Sequence, residues 1–74
     1  MILVTGASGF LGSAVVRLAR RRGRDVRAMI REYSPRDLLG DLPPEALAIA
    51  DMTDDDALAR AAEGVDAVVH CAAT

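Results

Sequence analysis

Ile2-Leu3-Val4-Thr5-Gly6-Ala7-Ser8-Gly9-Phe10-Leu11-Gly12 is the stretch on which the fold turns. Ile2 to Val4 form a short apolar run that reads as a buried strand. Thr5-Gly6-Ala7-Ser8-Gly9 is a loop of small residues. From Phe10 to Arg22 the apolar positions take helical spacing, with Leu11, Ala14, Val15, Leu18 and Ala19 expected on the buried face. Arg20, Arg21 and Arg22 fall in the last turn, where cations complement exposed carbonyls, and Gly23 suits the position just past the helix. The segment therefore reads strand, glycine loop, helix.

The same alternation continues along the chain. Val26 to Ile30 reads as a second strand. Ser34-Pro35-Arg36-Asp37 has the form of a helix start, with Ser34 as cap and proline in the first turn, and Gly40, Pro43 and Pro44 keep that helix short. Leu47 to Ala50 is a third strand ending at Asp51. Thr53 is the expected cap of the next helix, followed by Asp54, Asp55 and Asp56, with Leu58, Ala61 and Ala62 as its apolar face and Gly64 ending it. Val65 to Ala73 is a fourth strand, apolar at nearly every position and so expected to be buried on both faces. Strands alternating with helices predict an α/β architecture with a parallel sheet.

Placed between a strand and a helix, Gly6-x-x-Gly9-x-x-Gly12 has the form of a phosphate cradle. A dinucleotide's pyrophosphate requires a sharp turn, amides free of Cβ obstruction and a helix N-terminus aimed at it. Gly6 makes the turn, Gly9 allows close backbone approach and Gly12 lets the helix pack on the strand. Val4-Thr5-Gly6-Ala7-Ser8-Gly9-Phe10-Leu11-Gly12 resembles the fingerprint of the extended short-chain dehydrogenase/reductases, the NAD-dependent epimerase/dehydratase group. Asp66-Ala67-Val68-Val69-His70-Cys71-Ala72-Ala73 resembles that family's fourth strand, which ends in H-x-A-A beside the cofactor. Asp51-Met52 resembles its adenine-contacting pair at the end of the third strand.

The resemblance implies a Rossmann-type doubly wound parallel sheet in the spatial order 3-2-1-4. It implies cofactor contacts at Gly6, Ser8, Gly9, Phe10, Leu11, Gly12, Arg31, Asp51, Met52, Cys71, Ala72 and Ala73. Choice of cofactor falls to the residue closing the second strand, about 20 residues past the glycines. An acid there accepts from the ribose 2′-hydroxyl of NAD, and a cation there receives the 2′-phosphate of NADP. Arg31 occupies this position and favours NADP over NAD, through charge-assisted guanidinium–phosphate bonds, with Arg36 as a second contact. Glu32 stands next to it, and a one-residue shift of register would reverse the choice.

Composition bounds these readings. The chain has 74 residues, 51% hydrophobic and 27% charged, which suits one small folded domain. Nine arginines, no lysine and eleven acids give a net charge of −2, without the basic excess of a nucleic-acid binder. No apolar stretch reaches membrane-spanning length and no secretory signal is visible, so neither nucleic acid nor membrane is expected as a partner. A single cysteine excludes an internal disulfide, and a cytoplasmic protein is expected. Asp54-Asp55-Asp56 lacks metal-loop spacing and reads as helix-start electrostatics, so no metal site is expected. The arginines at 20–22 and 24 read as a helix end. His70 is expected to be packed near the cofactor, and Cys71 to be a core residue at the same place.

Catalysis is missing from the pattern. The family's proton carrier is a tyrosine with a lysine four residues later. Here Tyr33 is followed by Asp37 at that spacing, and no catalytic residue is assigned. A chain ending after a fourth apolar strand leaves a hydrophobic edge that natural proteins avoid. Residues 1–74 are therefore expected to be an incomplete NAD(P)-binding domain at the start of a larger oxidoreductase, acting by hydride transfer on a sugar nucleotide or a small carbonyl or hydroxyl substrate. A reductase is favoured by Arg31. Alone, the 74 residues are expected to bind cofactor weakly or not at all and to turn nothing over, while a homodimer is an assembly open to the longer protein. A non-catalytic NAD(P)-sensing regulator on the same fold is the alternative, and a ligand-free scaffold would leave the glycine loop unexplained.

Overall fold

The computed structural model describes residues 1–40 and 42–71. Four strands, β1 (Ile2–Thr5), β2 (Val26–Ile30), β3 (Leu47–Ile49) and β4 (Ala67–His70), form one sheet in the order β3-β2-β1-β4. Every pairing is parallel: Ile2 stands opposite Val26 and Ala67, and Ala28 opposite Leu47. Two helices, α1 (Phe10–Arg21) and α2 (Asp55–Ala61), accompany two short 3-10 turns at Asp37–Leu39 and Pro44–Ala46. The predicted fold and strand order are those observed.

Crossovers between parallel strands are right-handed, so the direction of travel across the sheet chooses the face. The chain moves outward from β1 to β2 to β3 and then returns to β4, which puts α1 on one face and α2 on the other. The period of two along a strand divides the core accordingly. Val4, Val26, Ala28 and Ile30 pack with Ala7, Val16 and Leu39 on the α1 face. Leu3 and Met29 pack with Ala50, Ala57 and Ala61 on the α2 face.

Local details depart from the expectations in four places. The buried face of α1 is Gly12, Ser13 and Val16, flanked by Val15 and Ala19, while Leu11 and Leu18 are exposed. A Cβ on Gly12 would lie 2.2 Å from the Gly6 carbonyl oxygen, so the helix seats against β1's loop at its smallest residue. That contact selects the stripe of Gly12, Val16 and Ala19, which lie one and two helical turns apart. Ser34 caps nothing: the helical turn starts at Asp37, and its N-terminal flank Arg36 makes no side-chain cap. Asp54, not Thr53, caps α2, its Oδ1 accepting from the Ala57 amide at 3.1 Å.

The fourth departure is β4. It spans Ala67–His70, and its side chains are exposed where burial on both faces was expected. Val68 is 58% exposed, because β4 pairs with β1 alone and neither helix covers it among the described residues. The end of α1 follows the arginine and glycine reading closely. Gly23 takes φ +75°, its amide donates to the Arg20 carbonyl and the Arg24 amide donates to the Ala19 carbonyl, a double closure that needs a left-handed residue.

Candidate functional site

All four strands run the same way, so the loops that follow them meet at one end of the sheet. Between β1 and β4, where the chain's direction of travel reverses, the loops diverge and leave a crevice. A cleft of about 660 Å³ opens there. Gly6, Ser8, Gly9, Phe10, Leu11 and Gly12 line it after β1, Arg31 after β2, Asp51 and Met52 after β3, and Cys71 after β4. Every described residue of the expected cofactor set is thus brought together; Ala72 and Ala73 lie outside the described residues.

The β1 loop has the chemistry of an anion cradle. Gly6 holds φ +64°, a left-handed turn that glycine adopts without strain. Gly9 stands at the N-cap of α1 in extended conformation, with no side-chain cap, and no acid occupies the first turn. The amides of Phe10, Leu11 and Gly12 are first-turn donors without an intrahelical acceptor, and the positive end of the helix dipole adds to them. Phe10 and Leu11 are 86% and 67% exposed, so their contribution to the cleft is backbone rather than packed side chain. A Cβ on Gly9 would meet nothing nearer than the Gly6 carbonyl oxygen at 3.6 Å, an ordinary contact. The chain's own packing therefore does not demand glycine at position 9, whereas a pyrophosphate lying against the loop does. These residues fit the phosphate-bearing part of a dinucleotide.

Arg31 lines the cleft, and Glu32 beside it does not. The turn from Arg31 to Ser34, closed by the Ser34 amide on the Arg31 carbonyl at 3.0 Å, brings Ser34 back to the cleft wall. Tyr33 points outward at 92% exposure. Arg36, expected as a second phosphate contact, instead lines a separate cavity of about 260 Å³ with Leu39 and Leu42. Asp51 keeps its carboxyl below the usual carboxylate range, chiefly because its Oδ1 accepts from the Thr53 amide and also from the Thr53 hydroxyl, with Arg31 adding attraction.

His70 was expected to be packed. It is exposed in the cleft, and its Nδ1 shares a 2.7 Å hydrogen bond with the Thr5 hydroxyl, which is buried. Cys71 is half-buried against the α1-side core, with its amide on the Thr5 carbonyl at 3.1 Å. His70 and Ser34 are cleft residues that the sequence reading did not assign. Their signal was positional: His70 ends β4 and Ser34 stands four residues past the end of β2, each at a strand whose loop enters the crevice. Among the described residues no helix is long and apolar enough to cross a membrane.

Comparison with known proteins agrees with this geometry. A 3-beta-hydroxysteroid dehydrogenase of Mycolicibacterium neoaurum is 38% identical over 72 residues, covering 97% of this chain and 19% of its own length. The crystal structure of gox2253 superposes with a TM-score of 0.88 at 44% identity, covering all of this chain and 22% of that one. A short-chain dehydrogenase/reductase superfamily protein from Agrobacterium tumefaciens, solved with bound NAD, superposes with a TM-score of 0.74 at 37% identity, covering 100% of this chain and 20% of that one. The chain thus spans about a fifth of the length of these relatives. The model of the NAD dependent epimerase/dehydratase family matches residues 2–74. With the glycine cradle, the sheet order and the match in agreement, this chain belongs to the NAD dependent epimerase/dehydratase family.

Proposed function

We propose that this chain is the cofactor-binding part of an NADP-preferring oxidoreductase that transfers hydride to or from a carbonyl or hydroxyl carbon. The observation that carries the reading is the junction of β1 and α1. There an uncapped helix N-terminus meets a glycine whose missing side chain the protein itself does not require. The nicotinamide dinucleotide supplies the hydride chemistry when bound. The chain's own residues bind and orient. First-turn amides of α1 and the Gly9 backbone receive the pyrophosphate, while Asp51 and Met52 receive the adenine.

The preference for NADP rests on Arg31 at the cleft, with Ser34 beside it as a hydroxyl donor. A guanidinium and a hydroxyl donor suit a 2′-phosphate, and a guanidinium, unlike a carboxylate, cannot accept a bond from a 2′-hydroxyl. Relatives named for hydroxysteroid oxidation, the Mycolicibacterium neoaurum dehydrogenase among them, support a secondary alcohol or ketone as the substrate class. Titration of the native protein with each cofactor tests the reading. Arg31→Ala is expected to weaken NADP binding by about 10-fold or more, the scale of a lost charge-assisted bond, and to leave NAD binding nearly unchanged. Equal loss for both cofactors would remove the 2′-phosphate role. Failure of the full-length protein to bind either would remove the whole proposal.

A further inference from the structure

Asp51-Met52-Thr53-Asp54 forms a tight turn, with the Asp54 amide donating to the Asp51 carbonyl at 3.0 Å. Inside that turn Thr53 makes two donations to one atom. Its amide and its hydroxyl each reach Asp51 Oδ1 at 2.9 Å. Thr53 was expected to cap α2, but Asp54 performs that task through its own carboxylate. The Thr53 hydroxyl is thereby released from helix capping and committed to a cleft residue. Among the described residues no other side-chain bond to Asp51 is made, so its Oδ2 has no protein donor, and Asp51 lines the cleft.

We propose that Thr53 is a positioning residue for cofactor recognition. Holding Oδ1 from two directions, it fixes the Asp51 carboxylate so that Oδ2 accepts the exocyclic amine of the dinucleotide's adenine. This rests on the reading of Asp51 as an adenine contact. A carboxylate on a rotatable side chain at a solvent-exposed position samples several orientations, and ordering it costs binding free energy. Two donors on one oxygen meet that cost before the ligand arrives. They also favour the ionised form, the acceptor-only state that an amine requires. The charged group facing the carboxylate from another element is Arg31 after β2, which acts in the same direction. Asp54 points its carboxylate to the Ala57 amide of α2 instead.

The test compares binding of NADP with that of the analogue carrying hypoxanthine in place of adenine, in which the amine is replaced by a carbonyl. Native protein, Asp51→Asn, Thr53→Val and Thr53→Ser are titrated across the acid range, with circular dichroism confirming that each is folded. Thr53→Val is expected to lose about three- to tenfold in NADP affinity, the effect of one hydrogen bond, with little change for the hypoxanthine analogue. Thr53→Ser restores it. The acid limb of NADP binding moves to higher pH in Thr53→Val, since the lost donor no longer holds the carboxyl low. A Thr53→Val protein with native discrimination and a native acid limb overturns the proposal, while Asp51→Asn losing discrimination leaves the adenine contact standing. Native discrimination in Asp51→Asn overturns the adenine contact itself, and the role of Thr53 falls with it.

Discussion

Two glycines of the cradle are glycine for different reasons. At Gly12 the constraint is internal, because an added Cβ would lie 2.2 Å from the Gly6 oxygen and 2.9 Å from the Ala7 Cα, both backbone. Backbone cannot rotate away, so Gly12→Ala is expected to cost about 3 kcal/mol, the upper part of the range for overpacking, read as a lowered melting temperature. At Gly9 the protein imposes no such constraint, and the proposed reading assigns it to the bound pyrophosphate. Gly9→Ala is expected to keep the melting temperature within a few degrees while dinucleotide affinity drops by about 10-fold or more, as a methyl group enters the path of the phosphate. A Gly9→Ala protein that binds normally would show the pyrophosphate to lie elsewhere. The sequence places both glycines in one motif and cannot separate them, since spacing carries no record of which neighbour is protein and which is ligand.

At the scale of elements, the turn before α2 shows two adjacent residues dividing the capping of α2 from the support of the Asp51 carboxylate. The Asp54 carboxylate accepts from the Ala57 amide, so Asp54→Ala is expected to destabilise the protein by about 1 kcal/mol, the usual effect of a lost N-cap. Thr53→Ala is expected to leave helix content unchanged, since its hydroxyl serves Asp51. Circular dichroism melts of the two variants distinguish the roles. Asp51's carboxyl is lowered in the folded protein, chiefly by the Thr53 amide, so its contribution is present above the unfolded carboxylate range. That contribution is lost as pH falls through the lowered folded value. The same sign applies to Asp66, held low by the terminal ammonium of Met1 at 2.9 Å, which ties the start of β1 to the start of β4. Periodicity found the helices but misassigned the buried stripe of α1. Leu11 and Leu18 are larger than Gly12 and Val16, yet the close approach required at Gly12 decides which stripe turns inward.

Across the whole molecule, the reversal of direction between β1 and β4 creates the cleft, and among the described residues it leaves β4 with one bonded neighbour. Val68 and Val69 are exposed there, 58% and 37%, on a strand whose outer backbone groups face away from the sheet. Such an edge is a template for pairing. In isolation residues 1–74 are expected to self-associate at micromolar concentration, and Val68→Lys to shift the population towards monomer in sedimentation velocity. An unchanged distribution would show that association uses another surface. The expectation that β4 is buried on both faces came from its composition, and composition reports what a strand can bury, not what is present to cover it.

Much was decided by local chemistry and was legible without coordinates. A left-handed turn needs Gly6, a helix start near phosphate needs small residues before it, and alternating apolar runs of strand and helix length give a parallel sheet. The strand order came from the resemblance that the glycine motif carries, since right-handed crossovers alone allow more than one order. Tertiary structure alone decided that Arg31 and not Glu32 lines the cleft, that Ser34 returns to it and Arg36 leaves it, and that His70 is exposed beside Thr5. It also moved Thr53 from a helix cap to the Asp51 carboxylate. Each of these depends on the direction a side chain takes from a turn, which is set by contacts between segments distant in sequence. Spacing along the chain encodes the turn but not its orientation in space.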